Sequence, residues 1–172
     1  MKKIITVILV SSLFFISGCM NKNDSVVIND ENSVKASTLV KNTAWIASDE
    51  SEVIFTDEEI NWYRYQNDHS DNYYSGKYVL YVGKDAVKYI TQELSYYGVT
   101  KMKLNDLFDR SDLYSVENFV VFDIRYDEFM IDGESSVPQR QLVPWYGFIL
   151  EDNTYLDVVN MNTGTYYKFS KR

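Results

Sequence analysis

Cysteine and histidine are almost absent from this sequence, which has one cysteine, Cys19, and one histidine, His69, in 172 residues. One thiol excludes an intramolecular disulfide, and one histidine falls short of the three or four nitrogen or sulfur ligands that zinc sites need. Basic residues are the minority, 17 against 25 acidic ones, so the basic patches required for binding nucleic acid are missing. The sequence therefore predicts no metal, no cofactor and no nucleic-acid partner.

Proline and glycine are also scarce, with 2 and 7 residues, while aromatic residues make up 16% of the chain and include 15 tyrosines. Low-complexity disorder is usually rich in proline and glycine, and aromatic side chains suit pleated, half-buried strands. This balance predicts a folded, strand-rich domain that is held together by its apolar core.

Long apolar runs are limited to residues 4–16, which follow Lys2 and Lys3 and lead through Ser17 and Gly18 to Cys19. A transmembrane helix needs about 17–25 apolar residues, so this run is too short and has the layout of a secretory signal peptide. The Ile16–Cys19 segment resembles the lipobox of bacterial lipoproteins. The resemblance implies that Cys19 is lipidated and anchors the chain to the extracytoplasmic face of the bacterial cell membrane.

Three regions follow from this interpretation: a signal peptide over 1–18, a lipidated N terminus and flexible tether over 19–43, and a single β-rich extracytoplasmic domain over 44–172. The tether is polar and contains no aromatic residue, although 26–28 could form a short edge strand. Taking Lys2 and Lys3 from the 17 basic residues leaves 15 against 25 acids, a formal charge of −10. Such a charge favours solubility, could attract a cationic peptide, and leaves the lipid anchor to hold the domain at the membrane.

Alternating apolar residues predict most of the strands. Gly76 within one of them is a candidate bulge, Asp132-Gly133 is a turn signal, and Pro144 points to an edge or a bulge. The spacing of Thr56 and Glu59 suits a helix cap, but the aromatic alternation that follows favours a strand. The predicted strands cover 45–47, 52–55, 60–65, 73–82, 119–131, 142–150, 154–159 and 165–169, with 134–139 as a polar loop.

A helical pair interrupts the strands. Apolar residues at 86, 87, 90, 94 and 97 have helical spacing, with Asp85 as a candidate cap at the start and Gly98 at the end. A second helix is predicted over 103–110, with Thr100 as its cap. The expected fold is α+β: mainly an antiparallel curled sheet or small barrel of about seven strands with an inserted pair of helices.

The lipobox and the stretches 51–56, 71–76, 97–100 and 156–161 resemble an uncharacterised family of single-domain lipoproteins from Gram-positive bacteria. The likeness runs from about Trp45 to the end of the chain and implies no activity. More loosely, a tryptophan near the first strand and a closing antiparallel meander resemble calycin or lipocalin-like barrels. The Gly-x-Trp that opens lipocalin barrels is absent, because Thr43 and Ala44 precede Trp45.

Groups able to do chemistry are few. His69 lies in a polar segment with Asp68, Asp71 and Asn72, where a Ser-His-Asp arrangement or a calcium site is conceivable, but no nucleophile-elbow motif and no EF-hand spacing supports either one. Paired carboxylates such as those at 58–59 and 127–128 are better explained as solvated charge. No catalytic residue is predicted.

Tyrosines concentrate in the two strands around residues 60–82, where they could pack in the sheet or form a recognition surface. A second aromatic patch adjoins Pro144. The candidate binding residues are Tyr63, Tyr65, Tyr73, Tyr74, Trp145 and Tyr146. We expect a non-catalytic binding module for an envelope component; the alternative is a protective lipoprotein that intercepts a toxic peptide or hydrolase.

Overall fold

The computed structural model describes residues 38–172. The signal peptide, Cys19, most of the tether and the possible strand at 26–28 lie outside the described residues. None of the helices within 38–172 has the length and apolar content needed to cross a membrane.

Nine antiparallel strands form a single sheet whose ends meet. Their order is β4-β3-β2-β1-β9-β8-β7-β5, and β5 pairs in turn with β4, so eight strands close into a barrel. The short β6 extends the far end of β5 beyond the ring. The strands are β1 Thr43–Ala47, β2 Glu52–Phe55, β3 Glu59–Tyr65, β4 Asp68–Val82, β5 Phe119–Ile131, β6 Glu134–Ser136, β7 Trp145–Leu150, β8 Tyr155–Asn160 and β9 Tyr166–Lys171. Of the two expected forms, curled sheet or small barrel, the antiparallel barrel is confirmed. The expected α+β class and about seven strands were approximate, since the fold is mainly β and eight strands form the ring.

Alternation along the strands divides the apolar residues between two cores. In β5, Val120, Phe122 and Ile124 face the barrel interior, whereas Phe119 and Val121 face outward and pack beneath the helices. Each of these five side chains is completely buried. Because both faces of β5 are covered, its sequence is apolar at almost every position.

The inserted helices cover the outer face of β4, β5 and β7. They are α1 (Lys84–Gln92), a 3-10 turn (Ser95–Tyr97) and α2 (Lys101–Phe108). Gly98 has a φ of 73° at the end of the turn, and the Thr100 hydroxyl accepts a hydrogen bond from the Lys103 amide at 3.3 Å, as both were predicted to do. The expected cap at Asp85 is wrong, because Gly83 occupies that position and Asp85 lies in the first turn.

Gly76 confirms the predicted bulge. The pairing of β4 with β5 shifts register between Ser75 and Gly76, and a Cβ on Gly76 would lie 2.1 Å from the carbonyl oxygen of Arg125. Only a residue without a side chain allows the two strands to approach this closely. The bulge bends β4 at this position.

Two other local expectations need correction. The segment 134–139 was expected to be a loop, but Glu134–Ser136 forms β6, because the Asp132-Gly133 turn returns the chain along the edge of β5. The strand expected over 142–150 begins only at Trp145. Pro144 lacks an amide hydrogen and therefore cannot extend the ladder of β7.

One end of the barrel is closed by the chain that precedes β1. Val40 is completely buried in the interior core, and Leu39 packs against the same core. The Lys41 amine lies 3.0 Å from the Asp57 carboxylate in the β2–β3 turn, and the Tyr78 hydroxyl donates to the carbonyl of Thr56 in that turn at 3.0 Å. These contacts seal the end at which β1 begins.

Candidate ligand-binding site

The opposite end of the barrel opens into a cavity of about 500 Å³. This volume lies within the usual range for sites that bind small molecules, roughly 300–1,000 Å³. The wall is mostly aromatic, with an asparagine-rich edge and a short loop across the opening. Its lining residues are Trp62, Tyr74, Tyr126, Phe129, Pro138, Gln139, Arg140, Val143, Trp145, Asn160, Asn162, Thr163 and Tyr167.

Aromatic rings from five strands form the wall because these positions all face inward. Trp62 in β3 lies opposite Tyr74 in β4, with ring centroids 5.8 Å apart, and Tyr74 is 5.3 Å from Tyr126 in β5. On the other side, Trp145 in β7 is 5.8 Å from Tyr167 in β9. Edge and tilted contacts of this kind fix the rings against one another and leave a rigid apolar surface.

Two tryptophans of the wall carry unsatisfied hydrogen-bond donors. The indole nitrogens of Trp62 and Trp145 are buried and have no acceptor among residues 38–172. Trp45, the third tryptophan of the chain, instead donates its indole N–H to the Thr43 hydroxyl at 2.7 Å. A buried donor left without an acceptor costs about 1–3 kcal/mol, so an acceptor bound beside either wall indole would be stabilising.

Three tyrosine hydroxyls of the cavity are also without a hydrogen-bond partner in the described chain. Those of Tyr74, Tyr126 and Tyr167 make no hydrogen bond to any residue of the described chain, although all three rings line the cavity. Burial raises the pKa of Tyr126, helped by the neighbouring phenols of Tyr167 and Tyr74. Burial also raises the pKa of Tyr167, with a smaller contribution from Asp49. The phenols of Tyr126 and Tyr167 therefore stay protonated at neutral pH and can donate hydrogen bonds.

The polar edge of the cavity serves to hold the structure together. Asn162 accepts a hydrogen bond from the Tyr97 hydroxyl at 2.5 Å and donates one to the carbonyl of Leu142 at 2.8 Å. The amide of Tyr126 donates to the carbonyl of Gln141 at 2.9 Å. The loop 137–143 is thus fastened across one side of the opening, while the aromatic wall keeps its free polar groups.

The predicted binding residues are divided by the structure. Tyr74 and Trp145 line the cavity. Tyr63 and Tyr73 pair across β3 and β4 on the outer face, with ring centroids 5.9 Å apart. Tyr65, also on β3, is 47% exposed and lies beneath the Arg64 guanidinium.

Tyr146 follows Trp145 in β7 and therefore faces the opposite side of the sheet. It is half-buried against the core formed by the helices and the outer barrel face. The expected patch around Pro144 is therefore split between the cavity and the helix-covered surface.

Sequence reasoning missed Trp62, Tyr126 and Tyr167 as lining residues. The available signal was alternation: Trp62 is in phase with Ile60, and Tyr126 is in phase with Ile124, both of which are buried in the barrel. The sequence does not show which strand ends come together at the open end of the barrel.

His69 lies on the outer face and takes no part in the cavity. It falls within the first residues of β4, and its imidazole stacks on the Tyr63 ring with the ring centroids 3.9 Å apart. Asp68, considered above as a calcium ligand, accepts hydrogen bonds from the amide and hydroxyl of Ser70. Across residues 38–172 no three His, Cys, Asp or Glu residues come together as a metal-binding group.

Comparison with known protein families, with curated proteins and with solved structures found no match for this chain. Its function must therefore be inferred from the geometry of the barrel and its cavity.

Proposed function

We propose that this protein is a lipid-anchored, extracytoplasmic binding module that takes a small ligand with an apolar or aromatic body into the open end of its barrel, without catalysis. The observation that carries the proposal is the pairing of a rigid aromatic wall with free hydrogen-bonding groups. Trp62 and Trp145 hold buried N–H groups that have no acceptor within the described chain. A ligand that accepts from them would supply the partner that these N–H groups lack among the described residues.

The aromatic wall supports a small ligand because its rings are held before any ligand arrives. Tyr74 packs on Trp62, Tyr126 and Phe129, with ring centroids 5.3–5.8 Å apart. A preorganised wall lowers the entropy that binding would otherwise cost. Stacking between flat surfaces is also tolerant of ligand identity, so the polar groups would set the selectivity.

The direction of the strands supports an opening that faces away from the membrane. β1 runs from Thr43 at the sealed end to Ala47, which pairs with Phe169 of the antiparallel strand β9. Tyr167, which precedes Phe169 by two residues in β9, lines the cavity. The first described residues, 38–42, therefore lie at the end of the barrel opposite the opening. Lipidation of Cys19, which the lipobox resemblance implies, would present the cavity to the envelope.

A protective lipoprotein that intercepts a cationic peptide is the second candidate, and the excess of acidic over basic residues favours it. The cavity itself does not, because none of its lining residues is acidic. A cationic peptide would have to bind the outer surface, which separates the two candidates by location.

Nuclear magnetic resonance of the three indole N–H groups tests the proposal. The probe is N-phenyl-1-naphthylamine, a neutral aromatic compound, added to the ¹⁵N-labelled full chain in lipid nanodiscs. We expect the resonances of Trp62 and Trp145 to shift with saturation, while that of Trp45 stays in place because its N–H is bonded to Thr43 outside the cavity.

Equal shifts of all three indoles would indicate unspecific association, and no shift at millimolar probe would contradict the proposal. Val143→Trp, which places a bulky side chain in the cavity lining, should abolish the Trp62 and Trp145 shifts. Val79→Trp is a matched control, because Val79 is 44% exposed on the outer face.

A further inference from the structure

The polar groups in the cavity are strongly biased towards donors. The indole N–H groups of Trp62 and Trp145 can only donate hydrogen bonds. The guanidinium of Arg140 also has donors and no acceptor. The amide of Asn162, which could have offered an acceptor, is bonded at both ends within the protein. The Asn160 side-chain oxygen and the Thr163 hydroxyl already accept from the amides of Asn162 and Thr165. The phenols, which both donate and accept, and the Gln139 side-chain amide are the other polar groups of the lining.

Arg140 is also the one charged residue in the lining. Its guanidinium forms no ion pair with a carboxylate of residues 38–172. The Asp49 carboxylate, which helps to raise the pKa of the cavity residue Tyr167, lies 3.2 Å from the Arg64 guanidinium, and that charge acts in the opposite direction. Arg140 is therefore a positive charge without a carboxylate partner in the lining, on a protein that is acidic overall.

We propose that the ligand of this cavity is a small aromatic or apolar carboxylic acid in its anionic form, with its ring or chain among the wall residues and its carboxylate at Arg140. This inference rests on the proposed function, since it assigns a chemical class to the ligand of the same cavity. A guanidinium fork matches a carboxylate with two parallel hydrogen bonds. A cationic ligand would meet the same guanidinium and find no carboxylate in the lining.

The ends of such a ligand would have different partners. The carboxylate remains at the exposed rim, where Arg140 lies, so it does not have to be fully desolvated. The apolar body enters between the two tryptophan-containing sides of the wall. A carbonyl or ether oxygen in that body would accept from the buried indole N–H groups, which a pure hydrocarbon leaves unpaired.

Three probes of the same shape and different charge test this assignment: naphthalene-2-carboxylate, its methyl ester and 2-naphthylmethylammonium. Each is titrated into the full chain in lipid nanodiscs, with empty nanodiscs as the reference, and the shifts of the Trp62 and Trp145 indoles give the affinity. We expect the carboxylate to bind about tenfold or more tightly than the ammonium. Arg140→Gln should remove that preference and leave the affinity for the ester unchanged.

Arg110→Gln is the matched control, because it removes the same charge at an exposed position outside the cavity lining. Equal affinities for carboxylate and ammonium, or a preference that survives Arg140→Gln, would overturn the anionic ligand while the proposed binding function stands. If none of the three probes shifts either indole, both proposals fail.

Discussion

The imidazole Nε2 of His69 lies 2.7 Å from Oε2 of Glu52, a carboxylate that is completely buried in the outer wall of the barrel. Arg172 approaches the other carboxylate oxygen at 3.0 Å. Because a carboxylate offers no hydrogen, Nε2 must carry the proton in this contact. Glu52 therefore joins β2 to the β3–β4 hairpin and to the last residue of the chain.

Removing both partners of Glu52 should be strongly destabilising. We expect the double variant His69→Ala with Arg172→Ala to lower the free energy of unfolding by about 2 kcal/mol or more, because a fully buried carboxylate loses the groups that hydrogen-bond to it. The partners are themselves 43% and 62% exposed, so the loss stays below that of a pair in the deep interior. Urea denaturation measures the difference.

Glu52→Gln in the same double variant should restore much of the lost stability, because it removes the buried charge and keeps the shape. If the double variant is as stable as the parent chain, Glu52 is not held by these contacts.

Trp45 and Trp145 allow a paired test of the unsatisfied indole. Both side chains are buried, but only Trp45 has an acceptor for its N–H among the described residues. We expect Trp45→Phe to destabilise the protein by about 1 kcal/mol more than Trp145→Phe, since only the first substitution removes a hydrogen bond. Urea midpoints at equal slope measure this difference. Equal costs would show that the Trp145 N–H is satisfied in solution, in the absence of ligand.

Local signals in the sequence were sufficient for most of the barrel strands and for the helical pair. The alternation of Val120, Phe122 and Ile124 identified β5 because each residue meets the same core. Thr100 marked a helix start through its side-chain hydroxyl, and Gly98 marked an end through its left-handed backbone. The strand β6 was missed because Glu134–Ser136 carries no apolar residue and pairs only because β5 offers an edge.

The cavity depends on contacts between residues far apart in the chain, and the sequence does not specify these. Closure of the ring by β4 and β5 brings Tyr74 beside Tyr126, and the order β9-β8-β7 brings Tyr167 beside Trp145. Tyrosines that are clustered in the sequence lie on different surfaces of the barrel, because neighbours such as Tyr73 and Tyr74 point to opposite faces of a strand.

Val40 should contribute measurably to stability although it precedes the predicted start of the domain at residue 44. Full burial of a valine side chain is worth about 1.5–3 kcal/mol. We expect a chain of residues 38–172 to be more stable than one of residues 44–172 by at least about 2 kcal/mol, measured by thermal and urea unfolding. Val40→Ala in the longer chain should fall between the two. Identical stabilities would mean that the segment before β1 does not seal the barrel.

Cys19 lies outside the described residues, and its lipidation is tested directly in cells. Cys19→Ala should abolish incorporation of radioactive palmitate and leave the signal peptide uncleaved, because no thiol remains to accept the diacylglyceryl group. Asn21→Ala, two residues further on, is the control and should be labelled as usual. Labelling of the Cys19→Ala chain would contradict the anchor.

Tyr78 should make the stability of the barrel depend on pH in the alkaline range. Burial raises the pKa of Tyr78 to about 12, with a further contribution from Asp57. The unfolded chain ionises this phenol near pH 10, so below pH 10 both states are protonated and the stabilisation is fully present. As the pH rises from 10 to 12 the unfolded state loses its proton first, and stability falls.

Tyr78→Phe, which also loses the hydrogen bond to Thr56, should be less stable than the parent chain by a constant amount below pH 10. That difference should shrink between pH 10 and 12 in urea unfolding curves; a difference that stays constant would place the Tyr78 hydroxyl in contact with water.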